Sequence, residues 1–161
     1  MAKNIVICCD GTGGEYGDRN SNVVKLYRAL VIDPAAQVGY YHPGVGTMGA
    51  PTARNRIEKA WSMLMGLAFG AGLLANVGDA YRYLMDIFEE NDKIYLFGFS
   101  RGAYTVRALA GMLRIFGLLT AGNQELIPYI TRIYSERIRI AKGLQETLAV
   151  AEGFKETFCR E

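Results

Sequence analysis

The pentapeptide Gly98-Phe99-Ser100-Arg101-Gly102 constrains this chain more than any other segment. It follows a short apolar run, Ile94-Tyr95-Leu96-Phe97, led in by Asp92-Lys93. It opens directly into an Ala/Leu-rich helical stretch over residues 103–113. Strand, Gly-x-Ser-x-Gly, helix is the context in which this pattern reads as a nucleophile elbow. A serine there occupies a sharp, strained turn. Side chains two residues away on either side would collide with the neighbouring strand and helix, hence the two glycines. The turn lifts the Ser100 hydroxyl above the sheet edge. It also sets the Arg101 N–H at a helix N-terminus, where the dipole favours negative charge. The plain alternative is a Gly-rich strand-to-helix turn with no chemistry.

Two further apolar runs share the character of the one before Ser100. Residues 4–9 end in Asp10-Gly11-Thr12-Gly13-Gly14, and residues 37–41 end in His42-Pro43-Gly44. Helical patterns separate them. Val23, Leu26, Tyr27 and Leu30 mark a helix over residues 22–30, with Ser21 or Asn22 as its cap and Asp33-Pro34 as its stop. A second helix starts near Thr52, and a third covers residues 73–90 with Val77, Tyr81, Leu84, Ile87 and Phe88 on one side. After the elbow helix and a break at residues 120–123, a long helix runs over 125–143. Its apolar stripe is Ile127, Ile130, Ile133, Tyr134, Ile138 and Ala141. Residues 144–158 form a last helix. Continuous apolar strands alternating with helices predict a mostly parallel sheet with helices on both faces, in one domain spanning residues 1–161.

This order places a second piece of chemistry. In an α/β hydrolase one oxyanion donor follows the nucleophile, and another comes from the loop after an earlier strand. Here that loop is Asp10-Gly11-Thr12-Gly13-Gly14, so Arg101, Gly11, Thr12 and Gly13 are the candidate oxyanion residues. The alternative is a tight turn organised by Asp10. Asp10 and His42 are supporting candidates. His42, the single histidine, follows the second strand at the same sheet edge. Its plainer reading is a turn residue beside Pro43, because in this fold the base follows the nucleophile in chain order. Asp79, Asp86 and Asp92 read as solvated charges, Arg107 as one half of a helix-surface or sheet-top ion pair, and Met63, Met65, Met85 and Met112 as core.

Several chemistries are excluded. Haloacid-dehalogenase-type phosphatases end their first strand in Asp-x-Asp-Gly-Thr, but Cys8 stands where the aspartyl nucleophile belongs. No G-x-x-x-x-G-K-[ST] phosphate loop occurs. Three cysteines without a CxxC, and one histidine, make no metal-ligand set, so no metal and no cofactor is expected. Adjacent Cys8 and Cys9 point to opposite strand faces and suit a reducing compartment. A net charge of +2 is too balanced for a nucleic-acid partner. The amino terminus reads as a first strand rather than a signal peptide. Residues 61–77 carry no charge. They read as a buried helix end and a Gly-rich turn, with a membrane span or a lipid-touching surface element as alternatives.

The blocks Cys9-Asp10-Gly11-Thr12, Ser21-Asn22-Val23-Val24-Lys25-Leu26, Tyr40-Tyr41-His42-Pro43-Gly44-Val45-Gly46-Thr47, the Gly72 to Tyr81 stretch and Gly98-Phe99-Ser100-Arg101-Gly102-Ala103-Tyr104-Thr105-Val106-Arg107 occur in this order. Together they resemble the α/β hydrolase domain family that includes phospholipase effectors of bacterial type VI secretion systems. The resemblance covers nearly the whole chain. It implies a three-layer α/β hydrolase-like fold, present here as its N-terminal part, and a Ser-Asp-His triad that hydrolyses esters, phospholipids among them. It gives Ser100 the nucleophile's role and places the triad Asp and His on later strands, beyond Glu161. Gly13-Gly14 depart from the Trp or Asn usual after Asp-Gly-Thr.

The resulting expectation is a serine esterase whose nucleophile and oxyanion loop lie here, acting on an ester or lipid, inactive without the missing acid and base. The competing expectation is a non-catalytic interaction domain, or a fragment held together by oligomerisation through an open sheet edge. A cytoplasmic location is expected, with export that needs no signal peptide left open, as is contact with a membrane surface.

Overall fold

The computed structural model describes residues 2–11, 20–44, 71–139 and 144–160. The expected helix from Thr52, the uncharged stretch through residue 70, and Thr12 and Gly13 of the first loop lie outside these residues.

Three six-residue strands form a parallel sheet: β1 (Asn4–Cys9), β2 (Gln37–His42) and β3 (Lys93–Gly98). Among the described residues five α-helices accompany them: α1 (Asn22–Ala29), α2 (Ala71–Ile87), α3 (Arg101–Phe116), α4 (Ile127–Arg139) and α5 (Leu144–Phe158), with a 3-10 turn at Gln124–Leu126 before α4. The molecule is an α/β protein, as its alternating pattern predicts. Among the described residues no helix is long and apolar enough to cross a membrane. The third helix starts at Ala71 rather than near 73, so Gly72 lies inside it and not in a turn.

The strand order is β2-β1-β3. From β1 the chain crosses to one side through α1. From β2 it crosses back over β1 to the other side through a connection that includes α2. Right-handed crossovers running in opposite directions must lay their helices on opposite faces. The core shows this directly. Val6 and Cys8 of β1 pack with Val23, Leu26 and Tyr27 of α1, whereas Ile5, Ile7 and Cys9 pack with residues of α2, α3 and α4. A strand covered on both faces needs apolar residues at every position, and Ile5 through Cys9 are all buried.

Alternate residues of β3 divide differently. Ile94 and Leu96 pack on the larger core, while Tyr95 and Phe97 on the opposite face are about two-fifths exposed, at 43% and 40%. The stripe of α2 buries Val77, Ala80, Tyr81, Leu84 and Met85. Ile127, Ile130 and Tyr134 of α4 and Met112 of α3 close the core.

At the amino end of the sheet the structure corrects one expectation. The Asp92 side chain is fully buried and not a solvated charge. It meets Lys3 Nζ at 2.7 Å and accepts the backbone N–H groups of Lys3 and Glu89. Burial works against ionisation of this carboxyl, but these donors prevail and hold it below the usual carboxylate range. The sequence neighbours of Asp92 are polar, and nothing local announces a lysine 89 positions earlier. Asp79 and Asp86 are exposed, as read, and the ion pairs among the described residues do not include Arg107, which is exposed too.

Candidate active site

Cys9 pairs with His42 on one side and Gly98 on the other, so all three strands end at the same level. The turns that leave them, at Asp10-Gly11, Pro43-Gly44 and Phe99-Ser100, emerge on one edge of the sheet. β1 is the strand at which the chain reverses its direction of winding. In open α/β sheets the crevice at that point, beyond the carboxyl ends of the strands, is where ligands bind.

Ser100 stands at this edge. It is exposed and holds φ +53 and ψ −120, one of two described residues other than glycine with positive φ. Such a backbone costs a residue with a side chain roughly 1–3 kcal/mol. It occupies the N-cap position of α3, where a serine ordinarily spends its hydroxyl on the helix's first N–H groups. Here the side chain makes no capping bond. Arg101 is the first residue of α3, so its N–H lies at the positive end of the helix dipole.

The flanking glycines are demanded by contact. A Cβ on Gly98 would stand 2.5 Å from the Gly102 carbonyl oxygen and 2.6 Å from Ala103 N. One on Gly102 would stand 2.0 Å from the Cys9 carbonyl oxygen. The start of α3 thus rests on the backbone of β1, and the turn folds back onto α3 itself.

Gly11 abuts the serine: its missing Cβ would lie 3.0 Å from Ser100 Cβ and 3.3 Å from the Phe99 ring. Its N–H, however, donates to Asp10 Oδ1 at 2.7 Å. Gly11 thus lies against Ser100 with its N–H directed to the Asp10 carboxylate.

Asp10 is 3% exposed and organises its surroundings. Besides Gly11 it receives the Ser21 hydroxyl and the Tyr41 hydroxyl, both on Oδ2. Burial and this hydrogen bond push the Tyr41 hydroxyl up to about 12.

His42 lies on the opposite sheet face from Tyr41. Its Nδ1 accepts the Gly44 N–H at 3.1 Å, and its Nε2 faces Asp79 Oδ2 at 4.0 Å. Burial lowers its basicity, with Asp79 acting the other way. Two strand spacings, about 10 Å, separate its strand from β3. Nδ1 thus serves the turn after β2, Nε2 is turned toward Asp79 of α2, and the strand order β2-β1-β3 leaves His42 two strands from the one that leads to Ser100.

Sequence reasoning missed Tyr41 and the second task of Ser21. Ser21 was legible as the α1 cap, and its oxygen does accept the Val24 N–H at 3.1 Å. That its proton goes to Asp10 is a long-range fact. Cys8 and Cys9 are buried, and burial pushes their thiols up to about 11 and about 12, which removes them from nucleophilic chemistry. Among the described residues no group of ligating side chains could hold a metal.

Residues 3–160 match the family described as type VI secretion phospholipase effector Tle1-like, catalytic domain. The chain belongs to that family. The Tle1-like family is one of phospholipase-type hydrolases, so a lipid is the substrate its name implies. This Tle1-like chain is also 39% identical over 167 residues to the uncharacterized protein YEL023C of Saccharomyces cerevisiae. The match takes in 99% of the chain and 24% of the yeast protein, so the chain spans about a quarter of that relative's length. A yeast relative at this identity shows that such sequences are not confined to the bacterial setting the resemblance suggests. No solved structure matches the chain.

Proposed function

We propose that this Tle1-like chain is the nucleophile-bearing part of a serine esterase of the α/β hydrolase type, acting on the carboxylic esters of lipids. One observation carries the reading. An exposed serine at positive φ, its hydroxyl uncommitted to its helix, is held between two glycines whose side chains the fold has no room for. Such strain persists only where the surroundings over-determine it, and it concentrates at functional sites.

In this reading Ser100 Oγ attacks the ester carbonyl carbon. The carbonyl oxygen takes the negative charge at the helix N-terminus, against the Arg101 N–H and donors of the Thr12-Gly13 segment. The serine proton passes to a histidine base, which returns it to the departing alcohol. Water then releases the acyl group by the same route. His42 stands two strands from β3 with its Nδ1 on the Gly44 N–H, so in this reading the base and its acidic partner are the ones the family resemblance places on later strands. Phe99, 57% exposed beside Ser100, and Tyr104, 39% exposed one turn along α3, give the surface near the nucleophile an apolar flank suited to an acyl chain.

The test is labelling with a fluorophosphonate probe, together with hydrolysis of p-nitrophenyl esters and of phospholipid vesicles by the full-length protein. Labelling and turnover are expected in the wild type and absent in Ser100→Ala. Equal labelling of the two proteins would defeat the reading and favour a non-catalytic interaction domain.

A further inference from the structure

We propose that Asp10, Ser21 and Tyr41 act together as positioning residues for the reaction at Ser100, by locking the Gly11 turn against the serine. This rests on the hydrolase reading and adds a supporting set to it.

The three residues come from three elements: the end of β1, the cap of α1 and the end of β2. Their hydrogen bonds have only one workable direction. Ser21 Oγ accepts the Val24 N–H, and its single proton goes to Asp10 Oδ2. Tyr41, its ionisation suppressed at neutral pH, gives its proton to the same oxygen at 3.0 Å. Gly11 N–H takes Oδ1. Every donor points inward, so the centre must accept on both oxygens, which a carboxylate does and an amide does not. The ion pairs among the described residues do not include Asp10. A carboxylate this buried is costly to desolvate, and three converging donors offset that cost.

Helix capping alone does not call for such an arrangement, because Ser21 caps α1 by itself. What the carboxylate adds is control of Gly11. That residue lies between Ser100 and Gly44, with no room for a Cβ on itself or on Gly44. Ser100 Cβ stands 3.0 Å from its Cβ position on one side. On the other, the Cβ position of Gly44 lies 2.7 Å from the Gly11 carbonyl oxygen. His42 holds Gly44 there through its Nδ1. The backbones around Gly11 therefore approach too closely for a side chain at either glycine, and within that close approach the N–H bond to Asp10 fixes the orientation of the Gly11 peptide. Loosening that bond moves the wall that the serine hydroxyl and the substrate carbonyl share.

The test compares wild type, Asp10→Asn, Tyr41→Phe and the double variant in the full-length protein. It reads kcat and KM on a p-nitrophenyl ester, the folded fraction by circular dichroism, and hydrogen exchange at the Gly11 amide. A displaced supporting residue typically costs one to two powers of ten. We expect kcat to fall about tenfold in Tyr41→Phe and about a hundredfold in Asp10→Asn, with KM within about twofold. The double variant is expected to be no worse than Asp10→Asn, since both act through one unit. Gly11 amide exchange should rise at least about tenfold in Asp10→Asn. Ser21→Thr, which keeps the hydroxyl, should retain near wild-type kcat where Ser21→Ala does not. Should Asp10→Asn not fold, Tyr41→Phe removes one bond and no charge and still decides the matter. The proposal is overturned if kcat stays within twofold in either variant, if losses follow the unfolded fraction, or if the two losses multiply. A wild type that folds, protects the Gly11 amide and yet takes no fluorophosphonate would instead sink the hydrolase reading, and the positioning role with it.

Discussion

Gly102→Ala isolates the contact on which the serine turn stands. A methyl group added there would sit 2.0 Å from the Cys9 carbonyl oxygen, 2.4 Å from its carbonyl carbon and 2.7 Å from the Asp10 oxygen. All three are backbone atoms of the central strand, and none can rotate away. Since real Cβ contacts do not fall below 3.0 Å, the start of α3 must rise off β1 by about 1 Å. Overpacking of this kind costs about 1–3 kcal/mol and belongs at the upper end where the obstacle is backbone. Alanine recovers at most about 1 kcal/mol of helix propensity. The expected net loss is about 2–3 kcal/mol, or roughly 5–10 °C in Tm for a chain of this size. Because Ser100 precedes the displaced turn by two residues, a shift of about 1 Å at the nucleophile should slow fluorophosphonate labelling about a hundredfold. Gly153→Ala is the control. Gly153 lies in α5 with nothing within 4 Å of its Cβ position, so the same change should stabilise by about 0.5–1 kcal/mol and leave labelling unchanged. A Gly102→Ala protein that melts within about 2 °C of wild type and labels at the same rate would refute the contact argument.

Asp92→Asn should cost about 2 kcal/mol, the usual loss for hydrogen bonds to a buried charge, read as a drop in urea midpoint. Because the native Asp92 carboxyl is held low, its contribution is complete above the ordinary carboxylate range near pH 4 and fades as acid titrates through the lower native value; the variant should lack that part of the acid limb. His42 is held low by burial, so between about pH 6.5 and its native value the unfolded chain binds the extra proton. Stability should therefore decline as pH falls below about 6.5, and His42→Gln should flatten that decline in urea titrations at pH 7.5 and 5.5. Ellman's reagent at pH 8 should leave Cys8 and Cys9 untouched in the native protein and reach them once urea unfolds it.

What could be read in the residues, and what could not, divides by the range of the interactions involved. β1 is a six-residue apolar run because both its faces are covered, and its bounds are those the sequence suggests. The turn at Ser100 is legible for a similar reason. Its strain, its glycines and its helix start all lie within five consecutive residues, so pattern and geometry carry the same information. The controls on that turn are different. Asp10 is adjacent to the wall it shapes, but its partners Ser21 and Tyr41 lie 11 and 31 positions away, and each already has a sufficient local reading as a cap and a strand residue. His42 is a different case: an imidazole at the correct sheet edge invites a catalytic role, and only the strand order, which sets it two strands from β3, and the Gly44 N–H on its Nδ1 bear on that role. β3 shows the limit most plainly. Its apolar run suits cover on both faces, yet Tyr95 and Phe97 stay partly exposed while Ile94 and Leu96 pack inward. Composition records what a strand can bury; only the packing shows which face has been covered. On that ground, replacing Phe97 with a charged residue should disturb the packed core far less than the same change at Leu96, although the run gives the two positions equal weight.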